Sequence, residues 1–273
     1  MAGSRTPDAD GSRRLTVAAA QVRSGTDPVA NLEQATGAVR RAADAGARLV
    51  VLPEATSASF ARNPQRAAEP LDGPFASGIR AAAAEAGVTV VVGLFEPAGD
   101  GRVHNTLLVT GPAGEATYRK VHLFDAFDSR ESDTVAPGEG YVVTDVDGGD
   151  AGPVRVGLAT CYDVRFADQF TALGARGAEL VVLPASWGDG PGKADQWDVL
   201  VRARALDAQA WLLASAQAWQ EPVKGAPLGI GRSMLVDPLG AVHAQLGADP
   251  DLLVAEVDLD VVGAVRKRIP VLP

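Results

Sequence analysis

The sequence predicts an α/β protein built as a four-layer α-β-β-α sandwich from two pseudo-repeated halves. Apolar runs of strand length alternate with helix-like segments from Leu15 onward. The run Ala178–Pro184 also repeats the pattern of Ala47–Pro53, including the same Leu-Val-Val-Leu-Pro. Two helix-covered sheets would each leave an apolar face exposed, and packing those faces together buries both. We therefore expect one domain over residues 14–273, behind a disordered tail of residues 1–13.

Local signals predict each element of the first half. Asp27 before Pro28 is typical of a helix N-cap followed by proline at the first helical position. Gly87 follows the last residue of a second helical segment, where a C-terminal glycine is expected. The predicted elements are a strand Leu15–Val22, a helix from Asp27 to Ala45, a strand Arg48–Pro53, a helix Phe75–Ala86, a strand Val88–Phe95, and a hairpin of Asn105–Thr110 and Ala116–Lys120.

The second half repeats this order. An apolar run, Val154–Thr160, leads through a short turn into a helix that begins beyond Phe166. A final hairpin is predicted around Asp237–Gly240, because Asp, Pro and Gly favour turns. The remaining predicted elements are a strand at Ala178–Pro184, a helix Lys193–Gln209, a strand Ala210–Ala216, and the hairpin strands Ser233–Val236 and Ala241–Leu246.

Composition excludes several classes of function. The 273 residues carry a net charge of −9, which opposes binding to a nucleic-acid backbone. No apolar run reaches the length of a membrane span, and the first residues lack the apolar centre of a secretory signal, so a cytoplasmic protein without membrane contact is expected. The single cysteine cannot form an intramolecular disulfide, and the three histidines lack metal-ligand spacing. We expect no metal site.

Cys161 occupies a position suited to a nucleophile. It follows the apolar run Val154–Thr160 and precedes a predicted helix. A thiol at such a strand-to-helix turn can lie at the rim of a sheet, where a helix N-terminus favours the thiolate. The alternative is structural, because free cysteines are often buried and only pack.

Three charged residues also stand at the ends of predicted elements. Glu54 follows a buried strand, and its counterpart in the second half is Ala185, so the fold itself does not require a carboxylate there. Lys120 closes the first hairpin, and Glu131 lies in the following loop. Taken singly, each is better interpreted as a solvated surface charge.

Three segments carry a resemblance to a known family. Leu52–Glu54, Lys120–Asp125 and Cys161–Phe166 resemble, in this order, the three signature segments of the nitrilase, or carbon–nitrogen hydrolase, superfamily. Within it the chain is most similar to the amidase branch that contains omega-amidases and deaminated glutathione amidases. Gln196–Asp198 followed by Arg202–Ala205 supports that branch. The resemblance implies that residues 14–273 form a carbon–nitrogen hydrolase domain.

The resemblance also implies a mechanism without cofactor or metal. Cys161 would attack a carbonyl and form a thioester, while Glu54 would transfer the protons. Lys120, with the backbone N–H of Tyr162, would stabilise the oxyanion. Glu131 matches the family's second glutamate, which holds the lysine. The segment between Lys120 and Glu131 is shorter than in close relatives, so Glu139 is an alternative for that role.

Four residues are candidates for substrate binding: Tyr162, Arg165, Trp187 and Trp197. Arg165 could bind a substrate carboxylate, since a guanidinium suits bidentate recognition, or it could brace the turn by pairing with Asp163. Trp187 and Trp197 are candidates for pocket walls, with core packing as the alternative.

The leading hypothesis is therefore a cysteine-dependent hydrolase that releases ammonia from a small carboxylate-bearing amide. The alternatives are an N-carbamoyl amino acid hydrolase or a nitrilase using the same site, and a non-catalytic interaction protein on this fold. Family members form dimers that assemble further, so we expect a homodimer or higher homo-oligomer. The C-terminal run Arg266–Pro273 would suit docking on a neighbouring copy, and a fraying terminus is the alternative.

Overall fold

The computed structural model describes residues 11–127, 129–223 and 228–273. The first half follows the predicted order of elements, with the short helix α2 in addition. Asp27 caps the first helix, its side chain accepting a hydrogen bond from the backbone N–H of Val29. The elements are β1 (Arg14–Gln21), α1 (Pro28–Asp44), β2 (Leu49–Val51), α2 (Pro64–Ala67), α3 (Pro74–Ala86), β3 (Thr89–Pro97), β4 (Val103–Gly111) and β5 (Gly114–Arg119).

The second half contains the predicted strands and helices together with elements at both ends that the sequence did not predict. A short 3-10 turn, Cys161–Arg165, separates its first parallel strand from the helix that follows. The elements are β6 (Val142–Asp147), β7 (Pro153–Leu158), α4 (Ala167–Ala175), β8 (Leu180–Ala185), α5 (Lys193–Ala208), β9 (Trp211–Ala216), β10 (Met234–Val236), β11 (Val242–Gln245), β12 (Asp251–Asp258) and α6 (Asp260–Arg268). Of these, β6, β12 and α6 are the additional elements.

The two sheets have the same internal order, which confirms the pseudo-repeat. The first runs β12-β1-β2-β3-β4-β5 and the second β6-β7-β8-β9-β10-β11 when read in the same direction. In each sheet three parallel strands lie at the centre, and antiparallel strands flank them. Since β12 comes from the end of the chain, the first sheet is completed by residues far from its other strands in sequence.

Alternating residues of the central strands supply the layers of the sandwich. In β2, Leu49 and Val51 belong to the apolar cluster between the two sheets, whereas Val50 packs with α1 and α3. In β8, Leu180 faces the other sheet and Val181 packs with α4 and α5. Each helix pair thus covers the outer face of its own sheet, and the four-layer prediction is confirmed.

The N-terminal boundary differs from the expectation. Residues 1–10 of the expected tail lie outside the described residues. Arg13, assigned to the tail, is instead held by the second half of the chain. Its side chain donates to the carbonyl of Ala151 and forms an ion pair with Glu179. The ordered chain therefore extends at least to Arg13, because these contacts tie it to the second sheet.

The described residues include no helix that is both long and apolar enough to cross a membrane. The longest, α1, has 17 residues, or roughly 25 Å at 1.5 Å per residue. The same residues contain no cluster of three or more side chains suited to holding a metal ion.

Candidate active site

The parallel strands end at one edge of the sandwich and bring the predicted residues together. Glu54 follows β2, Cys161 follows β7, and Lys120 directly follows β5. All three side chains are almost completely buried. The convergence follows from topology, since the ends of parallel strands meet at the same edge of a sheet. The strand β5 joins them because β3–β4 and β4–β5 are both antiparallel pairs, so that β5 runs in the same direction as β3.

Cys161 lies in a sharp turn. It is the first residue of the 3-10 turn after β7 and has a φ of +45°. Such a left-handed conformation is costly for a residue with a side chain, and it is concentrated at functional sites. The turn is held by Asp163, whose carboxylate accepts a hydrogen bond of 2.8 Å from the backbone N–H of Thr160.

Lys120 is enclosed between two carboxylates. Its Nζ lies 3.0 Å from Glu54 Oε1 and 2.9 Å from Glu131 Oε2. Glu131 is fixed in turn by the backbone N–H of Phe124, which donates to Oε2 at 2.6 Å. Glu139, the alternative for this role, is exposed and interacts electrostatically with Arg119. The short loop therefore still delivers Glu131 to the lysine.

Asn105 is a member of this cluster that the sequence motifs did not reveal. Its Nδ2 donates to Glu54 Oε1 at 2.7 Å and to Glu131 Oε1 at 3.3 Å. It lies opposite Lys120, whose backbone N–H donates to the Asn105 carbonyl. The sequence could have revealed Asn105, because a hairpin paired across the Gly111–Gly114 turn places Asn105 beside Lys120.

Glu54 is oriented by a backbone donor from the second sheet. The N–H of Ser186, just beyond β8, donates to Glu54 Oε2 at 2.8 Å. The Glu54 carboxylate also lies near enough to Cys161 to raise the pKa of the thiol, and the Ser186 N–H lies near enough to lower it. Glu54 therefore bonds to the ammonium group and interacts with the thiol, as an acid–base group between them must.

Burial and charge set the resting protonation states. Burial, followed by the negative charge of Glu54, raises the pKa of the Cys161 thiol well above its usual value, although Lys120 opposes this. Burial alone would lower the pKa of Lys120, but the carboxylates of Glu131 and Glu54 outweigh it and raise that pKa. At neutral pH the site therefore holds a thiol beside an ammonium group.

A second buried network connects the lysine loop to the cysteine turn. Asp163 accepts hydrogen bonds from the Tyr118 hydroxyl at 2.6 Å and from the His122 backbone N–H at 3.1 Å. The His122 ring nitrogen Nδ1 also lies 2.9 Å from Asp163, and this ring stacks on Phe166. The network joins the turn around Cys161 to the chain leaving Lys120.

The expectation that Arg165 braces the turn by pairing with Asp163 is wrong. Asp163 is fully buried and bonded to the groups just described, whereas Arg165 is half-buried and lies beside Tyr162 and Trp187. We call the side chains grouped around Arg165 beside the cysteine turn the rim of the site. The Arg165 Nη2 donates to Gln196 at 2.8 Å. Its guanidinium lies 5.0 Å from the Trp187 ring centroid and 5.8 Å from that of Tyr162. Arg165 therefore pairs with none of the carboxylates that the structure describes within 4.0 Å.

The two tryptophans differ in their surroundings. Trp187 is 4% exposed, and its ring contacts Arg165 at the rim. Trp197 is completely buried, packs against Trp187, and donates to the carbonyl of Arg232. Trp197 thus packs behind Trp187 in the core, and the expectation that it walls the pocket is wrong. Tyr162 is half-buried and lies edge-on to Phe124, with 5.1 Å between the ring centroids.

Comparison with known proteins identifies the family. The carbon–nitrogen hydrolase family model matches residues 16–267. The chain is 49% identical over 269 residues to "Hydrolase Rv0480c" of Mycobacterium tuberculosis, covering 94% of each chain. It is 35% identical over 248 residues to the deaminated glutathione amidase of Escherichia coli O157:H7, covering 89% of this chain and 90% of that one.

Solved structures agree with this result. A variant of the amidase from Nesterenkonia sp. AN1, in which acrylamide has added to the active-site cysteine, matches with a TM-score of 0.74 and 27% identity. The match covers 94% of this chain and 98% of that one. With the family model spanning nearly the whole sandwich and amidases among its relatives, the chain belongs to the carbon–nitrogen hydrolase family and is an enzyme of that class.

Proposed function

We propose that this carbon–nitrogen hydrolase cleaves a small carboxylate-bearing amide through a thioester on Cys161, releasing ammonia and a carboxylic acid. The observation that carries the proposal is the position of Glu54, which lies 3.0 Å from the Lys120 ammonium and is near enough to Cys161 to raise the pKa of its thiol. One carboxylate can therefore exchange protons with the nucleophile in a site that already contains a cationic donor.

Acylation uses these groups in sequence. Glu54 accepts the thiol proton as the sulfur of Cys161 attacks the amide carbon. The carbonyl oxygen becomes an oxyanion that accepts hydrogen bonds from the Lys120 ammonium and the Tyr162 N–H. The intermediate collapses, the C–N bond breaks, and Glu54 passes its proton to the departing nitrogen, so that ammonia leaves a thioester behind.

Deacylation reverses the roles. Glu54 takes a proton from water, and the resulting hydroxide attacks the thioester carbon. The C–S bond breaks, the acid product leaves, and Glu54 returns the proton to the sulfur. These steps use side chains and water alone, so we propose that no cofactor takes part.

Glu131 acts through Lys120. An oxyanion donor must stay protonated, and the raised pKa of Lys120 ensures this at neutral pH. Glu131 also fixes the direction of the ammonium group through two contacts of 3.2 and 2.9 Å. We therefore propose that Glu131 positions the lysine.

The position of Arg165 supports a substrate that carries a carboxylate. Arg165 presents a guanidinium at the rim that donates to the neutral amide of Gln196. Such a group recognises carboxylates. The relative named deaminated glutathione amidase also supports an amide substrate.

The test compares ammonia release by wild type and Cys161→Ala. The substrates are a panel of amides, N-carbamoyl amino acids and nitriles. We expect turnover to be largest for a carboxylate-bearing amide and to be lost in Cys161→Ala, because the variant lacks the single thiol of the sequence, on which the thioester forms. Intact-protein mass spectrometry should show an acyl adduct on wild type alone. Unchanged turnover in the variant would exclude the mechanism.

A further inference from the structure

A lysine outside the proposed catalytic cluster lies among aromatic rings at the rim of the site. Lys193 is the first residue of α5. Its Nζ lies 4.4 Å from the ring centroid of Phe127, 5.4 Å from that of Trp187 and 6.0 Å from that of Phe124. These faces hold the ammonium group through cation–π contacts and limit its freedom to turn into solvent.

A second cation shares one of these rings. The guanidinium of Arg165 lies 5.0 Å from the centroid of the same Trp187 ring. Partial burial, followed by the positive charge of Arg165, lowers the pKa of Lys193, and the cysteine acts in the opposite direction. Lys193 is thus near enough to interact electrostatically with both Arg165 and the nucleophile Cys161.

No carboxylate balances this pair in the part of the chain that the structure describes. Neither Lys193 nor Arg165 forms an ion pair with a described acidic residue at 4.0 Å or less, although Arg13, Arg119 and Arg232 each do. Two half-buried like charges repel each other, and an anion placed between them would remove that cost. A negatively charged group would therefore be stabilised beside these two cations.

We propose that Lys193 and Arg165 together form a carboxylate subsite beside Cys161, in which Lys193 determines the preference for anionic over neutral amides. This inference rests on the proposed function, since the bound carboxylate belongs to the same molecule whose amide carbon meets the sulfur. The Trp187 ring contacts both cations, and the rings of Phe127 and Phe124 also lie near the lysine. Lys193 contacts the substrate and takes no part in proton transfer.

The test pairs two amides of equal length, succinamate and butyramide, with the variants Lys193→Met and Lys267→Met. Lys267 is exposed on α6, so its replacement changes the net charge equally and serves as the control. We expect Lys193→Met to lower kcat/KM for succinamate about ten- to a hundredfold through KM, because a charge-assisted hydrogen bond is lost. Butyramide turnover should change less than about twofold, and Lys193→Arg should restore most of the preference.

A measurement on the wild type tests the subsite even if a variant fails to fold. The KM for succinamate should rise with salt and should also rise as the pH passes the lowered pKa of Lys193, while the KM for butyramide stays constant. Equal effects of Lys193→Met on both amides, or a wild type that favours butyramide, would overturn the subsite. The first result would leave the proposed function intact, whereas the second would also exclude its carboxylate-bearing substrate. Turnover unaffected by Cys161→Ala would refute the hydrolytic mechanism itself.

Discussion

At the scale of single residues, the negative charge of Glu54 has two opposite effects on Cys161. Together with burial it raises the pKa of Cys161 and so makes the thiol less acidic, yet the same carboxylate is the base that removes the thiol proton. The cysteine is therefore unreactive at rest and becomes a nucleophile only as its proton moves to Glu54. Asn105, Lys120 and Ser186 hold the carboxylate in place for that transfer.

Replacing Glu54 should separate these two effects. In Glu54→Gln the charge that raises the thiol pKa is gone, while the opposing Lys120 remains. The pH midpoint of iodoacetamide alkylation should therefore move down. Ammonia release should fall about a hundred- to ten-thousandfold because the general base is missing.

The control for this prediction is Glu139→Gln, which removes an equal charge from an exposed position. Alkylation rates measured from about pH 6 to about pH 11, a range that brackets the ordinary thiol pKa, and initial rates of ammonia release check both parts. A midpoint that moves upward in Glu54→Gln would contradict the proposed electrostatic role.

At the scale of elements, β3 determines where the chain after β2 can lie. The backbone N–H groups of Thr56 and Ser57 both donate to the carbonyl of Gly93 in β3, and the Gly93 N–H donates to that of Pro53. A Cβ at Gly93 would lie 2.7 Å from Glu54 Cα and 2.7 Å from the Pro53 oxygen. The absence of a side chain at Gly93 is what allows Glu54 to sit this close to the sheet.

A single methyl group in β3 should accordingly disturb the site. We expect Gly93→Ala to destabilise the fold by about 1–3 kcal/mol through overpacking. It should also lower kcat at least tenfold, because a displacement of about 1 Å at a catalytic group costs up to about a hundredfold. Gly99→Ala is the matched control, since a Cβ there meets nothing within 4 Å. Thermal unfolding and steady-state kinetics measure both effects. If Gly93→Ala has the same kcat as the wild type, the close approach of β3 to Glu54 does not control activity.

At the scale of the whole molecule, one apolar groove lies on the helical face of the second half. Leu206 of α5, Leu239 of the hairpin turn, and Ile269 and Val271 of the C-terminus line it and are exposed. The terminus is held in place there, because Gln209 Nε2 donates to the Ile269 carbonyl and the Arg266 guanidinium donates to the carbonyl of Ala178. Part of the run expected to dock on a neighbour is thus bound to its own chain.

We propose that a second copy covers this groove in a homodimer. Light scattering at micromolar concentration should give the mass of a dimer or a higher multiple of it. Val271→Asp should shift the mass toward a monomer, because it places a charge in the buried surface. Val29→Asp, on the exposed face of α1 over the first sheet, should leave the mass unchanged. A wild type that is monomeric at these concentrations would contradict the proposal.

Local sequence was enough to predict much of this protein. Strand and helix periods and the repeated Leu-Val-Val-Leu-Pro predicted the two halves and their packing, because an apolar face must be buried against another. Asp27 before Pro28 predicted the start of α1, and Gly87 predicted the end of α3, for equally local reasons. The resemblance of three motifs to the carbon–nitrogen hydrolase superfamily also implied that Glu54, Lys120 and Cys161 belong to one site.

Contacts between distant segments could be decided only in three dimensions. The strand β12 closes the first sheet because it pairs with β1, which lies over 200 residues earlier. The partners of Arg165 and the burial of Trp197 depend on how α5 packs beside the cysteine turn. The periodicity of a sequence predicts which face of an element a residue occupies. It does not predict the groups that this face contacts, because those groups come from other elements. The composition of the rim, including Lys193 beside Arg165, therefore emerged only once the chain was folded.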